Sequence, residues 1–231
     1  VEFEKDTKNN LWQLQKRIKD DCKKGNFTTK DNLHLTLRFL GEIDEDDIPN
    51  VAQAMEETAS VNRSFPLVFD RVGYFDRGEK CIIWVGVDKS KALVRLYETL
   101  EKNLGKQGFK RERANFAPHI TISRETALFY SKKILVDKFK PDFDGMIVKE
   151  ISLMESKRVN GRLIYKKIYG AKLIWGFWQK VFAYWKKWRI TQNIPCNIEL
   201  NINNIWKNSL LYATGLCLKT VFCTTKTLTY Y

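Results

Sequence analysis

A chain of 231 residues, 44% hydrophobic and 29% charged, is long enough to bury a substantial core and has the composition of a soluble globular protein. No run approaches the roughly 18 apolar residues that span a bilayer, and five cysteines (Cys22, Cys81, Cys196, Cys217, Cys223) with no C-x-x-C pair argue against a disulfide framework and a zinc site. The net charge of +13 favours a polyanionic partner, either nucleic acid or an anionic membrane surface. Val1 to Asp6 is too acidic and polar for a signal peptide, so a cytoplasmic location is expected.

Taken in chain order, Asp6 to Cys22 carries Leu11, Leu14 and Ile18 at helical spacing and predicts an amphipathic helix. Leu33 to Leu40 alternates, with Leu33, Leu35, Leu37 and Phe39 on one side and His34, Thr36 and Arg38 on the other, the pattern of a half-buried strand. The acidic stretch Glu42 to Asp47 leads into a helix reaching about Ala59, its charges suited to a helix N-terminus. Strands are expected around Phe65–Phe69 and Cys81–Val87, with a helix from Ser90 to Lys106. Further strands are expected at Ala117–Ser123, Met146–Met154 and Leu163–Tyr169. This order of elements suggests an α+β protein with mostly antiparallel sheets.

The chemistry lies in the histidines, of which the chain has two, and each is followed two residues later by threonine. By composition that is roughly a one-in-two-hundred coincidence, and both units also alternate with aliphatic residues. In a strand, residues two apart share a face, so His34 and Thr36 project together, backed by Leu35 and Leu37. His119 and Thr121 do the same, backed by Ile120 and Ile122. If the two segments face each other, two imidazoles and two hydroxyls converge. Imidazole titrates near pH 6.5, so one ring can give a proton while the other takes one. The hydroxyls can hold phosphoryl oxygens as charge develops. No metal or other cofactor is needed for that chemistry.

Asn32-Leu33-His34-Leu35-Thr36-Leu37-Arg38-Phe39-Leu40-Gly41-Glu42 and Phe116-Ala117-Pro118-His119-Ile120-Thr121-Ile122 resemble the paired signatures of the two-histidine phosphoesterases, and in particular the RNA 2′,3′-cyclic phosphodiesterase (2′-5′ RNA ligase-like) branch. Arg71-Val72-Gly73-Tyr74-Phe75 and Trp84-Val85-Gly86-Val87 are similar to that branch as well. The likeness covers about residues 1–172. It implies a bilobal α+β fold of two mostly antiparallel sheets with outer helices, pseudo-twofold symmetry and an active cleft between the lobes. It implies opening of a 2′,3′-cyclic phosphate at an RNA end to a 2′-phosphate without a metal, with 2′-5′ ligation as the reverse reaction. By motif, His34 would be the proton donor to the leaving 3′-oxygen, His119 the base that activates water, and Thr36 and Thr121 the phosphate holders. A monomer is expected. The family's first strand is reduced here to Val1–Glu4, which should cost stability more than chemistry.

Four arginines are further candidates for substrate contact. Arg38 shares the face of His34 and could reach phosphate or face solvent; Arg124 reaches the site only if its strand bends. Arg111 and Arg113, with Lys110, form a basic cluster that reads either as a solvated loop or as an RNA-backbone contact. Tyr74, Phe75 and Trp84 could stack a base or pack in the core. Residues 173–231 hold seven basic residues, one acidic residue (Glu199) and five of the seven tryptophans, and form a separate extension. Its Trp178, Trp185 and Trp188 recur at helical spacing among lysines. The segment suits a helix lying on an anionic membrane surface or packed on the catalytic body, or it is no natural part of the protein.

Overall fold

Leu11, Leu14 and Ile18 are fully buried along α1 (Lys5–Asp20), as their helical spacing requires. The computed structural model describes residues 1–112 and 115–175, with Arg162 as backbone only. After α1 come β1 (Cys22–Phe27), a short 3₁₀ turn (Lys30–Asn32), α2 (Ile48–Ala59), β2 (Phe65–Leu67), β3 (Phe69–Arg77) and β4 (Lys80–Val87). The order continues with α3 (Lys91–Lys106), β5 (His119–Leu128), α4 (Lys132–Lys138), β6 (Met146–Val148), β7 (Glu150–Val159) and β8 (Arg162–Lys172). The fold is α+β with antiparallel ladders throughout its named strands.

A four-stranded sheet runs in the order β1-β5-β4-β3. Its core face buries Val72, Ile83, Val85, Ile120 and Ile122, the aliphatic half of each alternating pattern. The helix predicted from Ser90 starts as expected, since the Ser90 side chain accepts a hydrogen bond from Leu93 N at 3.2 Å. Two elements carried no period to find. β1 reads Cys-Lys-Lys-Gly-Asn-Phe, a charged edge strand, and α4 is a seven-residue helix that buries only Leu135.

Two expectations need correction. The second sheet is not continuous: its residues form two two-stranded ladders, β2–β6 and β7–β8. Lys149, between β6 and β7, accepts a hydrogen bond from Leu173 N at 2.8 Å, so one run of chain changes partner from β2 to β8 there. Gly145 belongs to the same junction, where any Cβ would collide with the Leu67 carbonyl oxygen. The second correction concerns Leu33–Leu40, which is extended but forms no regular strand, only an isolated bridge between His34 and Glu2. Alternation holds through buried Leu33, Leu35 and Leu37, then the chain bends, and Phe39 is 73% exposed instead of buried. The departure falls beside Arg38, whose guanidinium meets two carboxylates, Glu101 and Glu112.

Val1–Glu4 lies beside this segment, with Leu35 N donating to Val1 O at 3.0 Å. β8 ends at Lys172, and the extension expected from residue 173 lies outside the described residues beyond Trp175. Among the described residues no helix is long and apolar enough to cross a membrane.

Candidate active site

Both motif histidines are held at the same atom in the same way. His34 Nδ1 lies 2.7 Å from the carbonyl oxygen of Asn32, and His119 Nδ1 lies 2.7 Å from that of Ala117. A carbonyl can only accept, so Nδ1 carries the hydrogen in both rings and Nε2 is left for other partners. Neutral, each Nε2 is a proton acceptor; protonated, it is a donor. His34 Nε2 lies 3.1 Å from Thr36 Oγ1, which pairs the two side chains of the first motif.

Each imidazole is also met edge-on by an aromatic ring from a neighbouring hairpin. Tyr165 of β8 approaches His34 at 4.7 Å between centroids and 62° between planes. Phe75 of β3 approaches His119 at 5.0 Å and 86°. Trp84 of β4 backs Phe75 at 5.5 Å and stands 6.4 Å from His119. Its indole lies over Gly73, where a Cβ would collide with the ring. Phe75 and Trp84 are half-buried and stand beside His119, so they are not absorbed by the core.

The two motif segments share one support. The buried Gln15 amide nitrogen donates to Thr28 O at 2.7 Å and to Ile122 O at 2.9 Å. Thr28 N donates to Ile122 O, and Thr28 Oγ1 donates to Thr121 O, both at 2.9 Å. From Thr28 the chain passes through the 3₁₀ turn straight into Leu33 and His34. Behind the motifs Leu33, Leu35, Leu37, Ile120 and Ile122 join one core cluster.

Burial holds the His34 imidazole below its ordinary pKa, and the charges of Lys8 and Arg124 act in the same direction against the hydrogen bond to Asn32. β5 is irregular beside Arg124. Ile122 and Ser123 are both buried, the register against β4 shifts at that point, and Glu125 follows at φ 51°.

Arg38, read from its face as reaching phosphate or facing solvent, is engaged within the protein. Its guanidinium meets Glu101 at 2.9 Å and Glu112 at 3.0 Å and donates to Lys110 O at 2.6 Å. The Glu101 approach is an ion pair without hydrogen-bond alignment. With these partners Arg38 fastens the end of motif one to α3 and to the loop before motif two. Arg111 is exposed and lines a groove of about 410 Å³ with Tyr97, Glu98, Glu112 and Phe116. Arg113 lies outside the described residues. Among the described residues no group of three or more His, Cys, Asp or Glu side chains is gathered where it could hold a metal ion.

Residues 7–160 match the model of the 2′-5′ RNA ligase superfamily. The chain belongs to that superfamily. It is 35% identical over 127 residues to the RNA 2′,3′-cyclic phosphodiesterase of Thermotoga maritima, covering 49% of this chain and 67% of that protein. It is 27% identical over 172 residues to the protein of that name from Methanocaldococcus jannaschii, covering 73% and 95%. The crystal structure of Escherichia coli LigT complexed with 3′-AMP superposes with a TM-score of 0.61 at 23% identity, covering 72% of this chain and 92% of LigT. At that identity the superposition speaks for the fold of the superfamily.

Sequence reasoning missed Tyr165, which is one position among several in a strand of mixed apolar and basic residues, and nothing local marks it as the neighbour of His34. It also missed the carbonyls of Asn32 and Ala117. Their signal was available, since both stand two residues before a motif histidine.

Proposed function

We propose that this chain hydrolyses RNA 2′,3′-cyclic phosphate termini to 2′-phosphomonoesters by acid–base catalysis between His34 and His119. The observation that carries the reading is the matched support of the two rings, each with Nδ1 committed to a carbonyl, which makes Nε2 the atom for proton transfer. The naming of the Thermotoga and Methanocaldococcus relatives supports the substrate class.

In this mechanism His119 Nε2 takes a proton from water as it attacks phosphorus. His34 Nε2–H gives a proton to the leaving 3′-oxygen, the assignment that the family resemblance supplies. Thr36 and Thr121 donate hydrogen bonds to the non-bridging oxygens, where charge is held in the transition state. The lowered pKa of His34 makes its imidazolium a stronger acid. The anionic phosphate counters the burial that disfavours the protonated ring, so substrate binding loads the donor. When the 3′-oxygen leaves, His34 is neutral. With an RNA 5′-hydroxyl in place of water, the same proton transfers open the ring onto that hydroxyl and give a 2′-5′ linkage with a free 3′-hydroxyl; the reverse of that step cleaves the 2′-5′ linkage.

The test is incubation with an RNA oligonucleotide ending in a 2′,3′-cyclic phosphate, with EDTA present, followed by identification of the end group. A 2′-phosphate is expected. A 3′-phosphate product would reverse the regiochemistry, and no conversion by folded protein would overturn the reading.

A further inference from the structure

The β7–β8 hairpin runs past His34, and one of its faces is turned to the site. Tyr165 lies on His34, and Asn32 Nδ2 donates to Leu163 O at 2.7 Å, so this stretch of β8 is held against motif one. The ladder pairs Ser156 with Tyr165 and Arg158 with Leu163. Opposed residues share a face, and so do residues two apart, so Arg158 stands on the face of Tyr165, one same-face step of about 7 Å nearer the tip. It is exposed and has no ion-pair partner among the described residues. Lys167 shares that face but is engaged by Glu2 and Glu150. Arg158 is therefore a cation of this hairpin face without an ion-pair partner among the described residues.

The other histidine provides an internal comparison. Arg71, Gly73 and Phe75 alternate along β3 and so share a face, with Phe75 on His119. There Arg71 is paired with Asp70 at 2.5 Å. Toward the tip of that hairpin, one same-face step from Phe75, Arg77 is exposed and in no ion pair among the described residues, so both hairpins set an aromatic residue on a histidine and an open arginine beyond it.

Resting on the proposed function, we infer that the site-facing side of the β7–β8 hairpin is a rail for the RNA chain, with Arg158 taking the phosphate on the 5′ side of the terminal nucleotide. The separation of Arg158 from the histidine-capping Tyr165 is comparable with the span of one nucleotide. An exposed guanidinium presents a donor fork matched to phosphate oxygens. The hairpin then reads chain length: a nucleoside 2′,3′-cyclic phosphate fills the histidine site alone, whereas an RNA end also reaches Arg158.

The experiment compares wild type and Arg158→Gln on two substrates, a decameric RNA ending in a 2′,3′-cyclic phosphate and a nucleoside 2′,3′-cyclic phosphate with no 5′-phosphate. The expected result is a kcat/KM on the RNA lowered about tenfold, with a salt slope shallower by about 0.7 for one lost phosphate contact. On the nucleoside the variant should stay within twofold of wild type. Equal losses on both substrates, or no loss on RNA, would overturn the rail. Failure of the wild type to turn over either substrate would instead sink the proposed function, and the rail with it.

Discussion

Replacing Arg38 by methionine separates a fastening role from a phosphate contact. Glu101 is 2% exposed at its side chain and Arg38 14%, so the pair lies inside the protein, whereas Glu112 at 37% is open to solvent and adds little. Removing one partner of a buried ion pair costs about 3–5 kcal/mol, because the other charge is left without compensation. The partial exposure of Arg38 puts the expected loss near the lower end, about 3 kcal/mol. For a domain of this size that lowers Tm by roughly 6–12 °C at about 2–4 °C per kcal/mol. The double variant Arg38→Met, Glu101→Met removes both charges and should recover most of the loss, since a well-packed apolar pair is often no less stable than an ion pair. Urea unfolding of wild type, both singles and the double gives the coupling directly, with an unchanged m-value as the check on two-state behaviour. On the RNA substrate, kcat/KM of the folded variants should stay within a few-fold of wild type. A loss under 1 kcal/mol together with a steep fall in kcat/KM would refute this reasoning and restore Arg38 as a phosphate ligand.

Alanine at His34 or at His119 should each lower turnover by about 10²–10⁴-fold with the unfolding midpoint little changed, read from steady-state rates and circular dichroism. Tyr165→Ala opens His34 to water, so the lowered imidazole pKa should rise toward its ordinary value. Because His34 must be protonated to act as the donor, the alkaline limb of the kcat/KM profile should move to higher pH. A limb that stays in place would show that Tyr165 does not contribute to the burial. The same shift has a stability counterpart in wild type. Between the ordinary and the lowered pKa the unfolded state binds more protons, so stability falls as pH drops through about 6.5, and His34→Gln should flatten that part of a denaturation series. Gly73→Ala should push Trp84 off the sheet beside His119, costing about 1–3 kcal/mol by overpacking and lowering kcat more than it raises KM.

What was legible in the sequence followed from period and motif. The aliphatic halves of both alternating runs entered the core, and the helices with clean spacing at Leu11–Ile18 and Leu93–Leu104 appeared where expected. Arg38 shows where alternation fails as a guide: two glutamates distant in sequence capture its charge, and the pattern is broken from Phe39 on. β1 was invisible because an edge strand needs backbone partners more than apolar residues. The irregularity of β5 beside Arg124 is one that no residue type announces. Tyr165 meets His34 across 131 positions of chain, and only the hairpin's placement brings them together.

The Gln15 amide has a consequence for motion. Its two hydrogen bonds, with those of Thr28, stitch the floor beneath both histidines, and parting the motifs means leaving buried carbonyls unsatisfied at about 1–3 kcal/mol each. The β7–β8 hairpin, by contrast, is a two-stranded ribbon with exposed residues from Ser156 to Gly161 and at Leu163 and Ile164. Opening of this ribbon leaves those buried hydrogen bonds intact, so one wall can give way while the segments leading to the two motifs stay stitched together like a hem under a loose cuff.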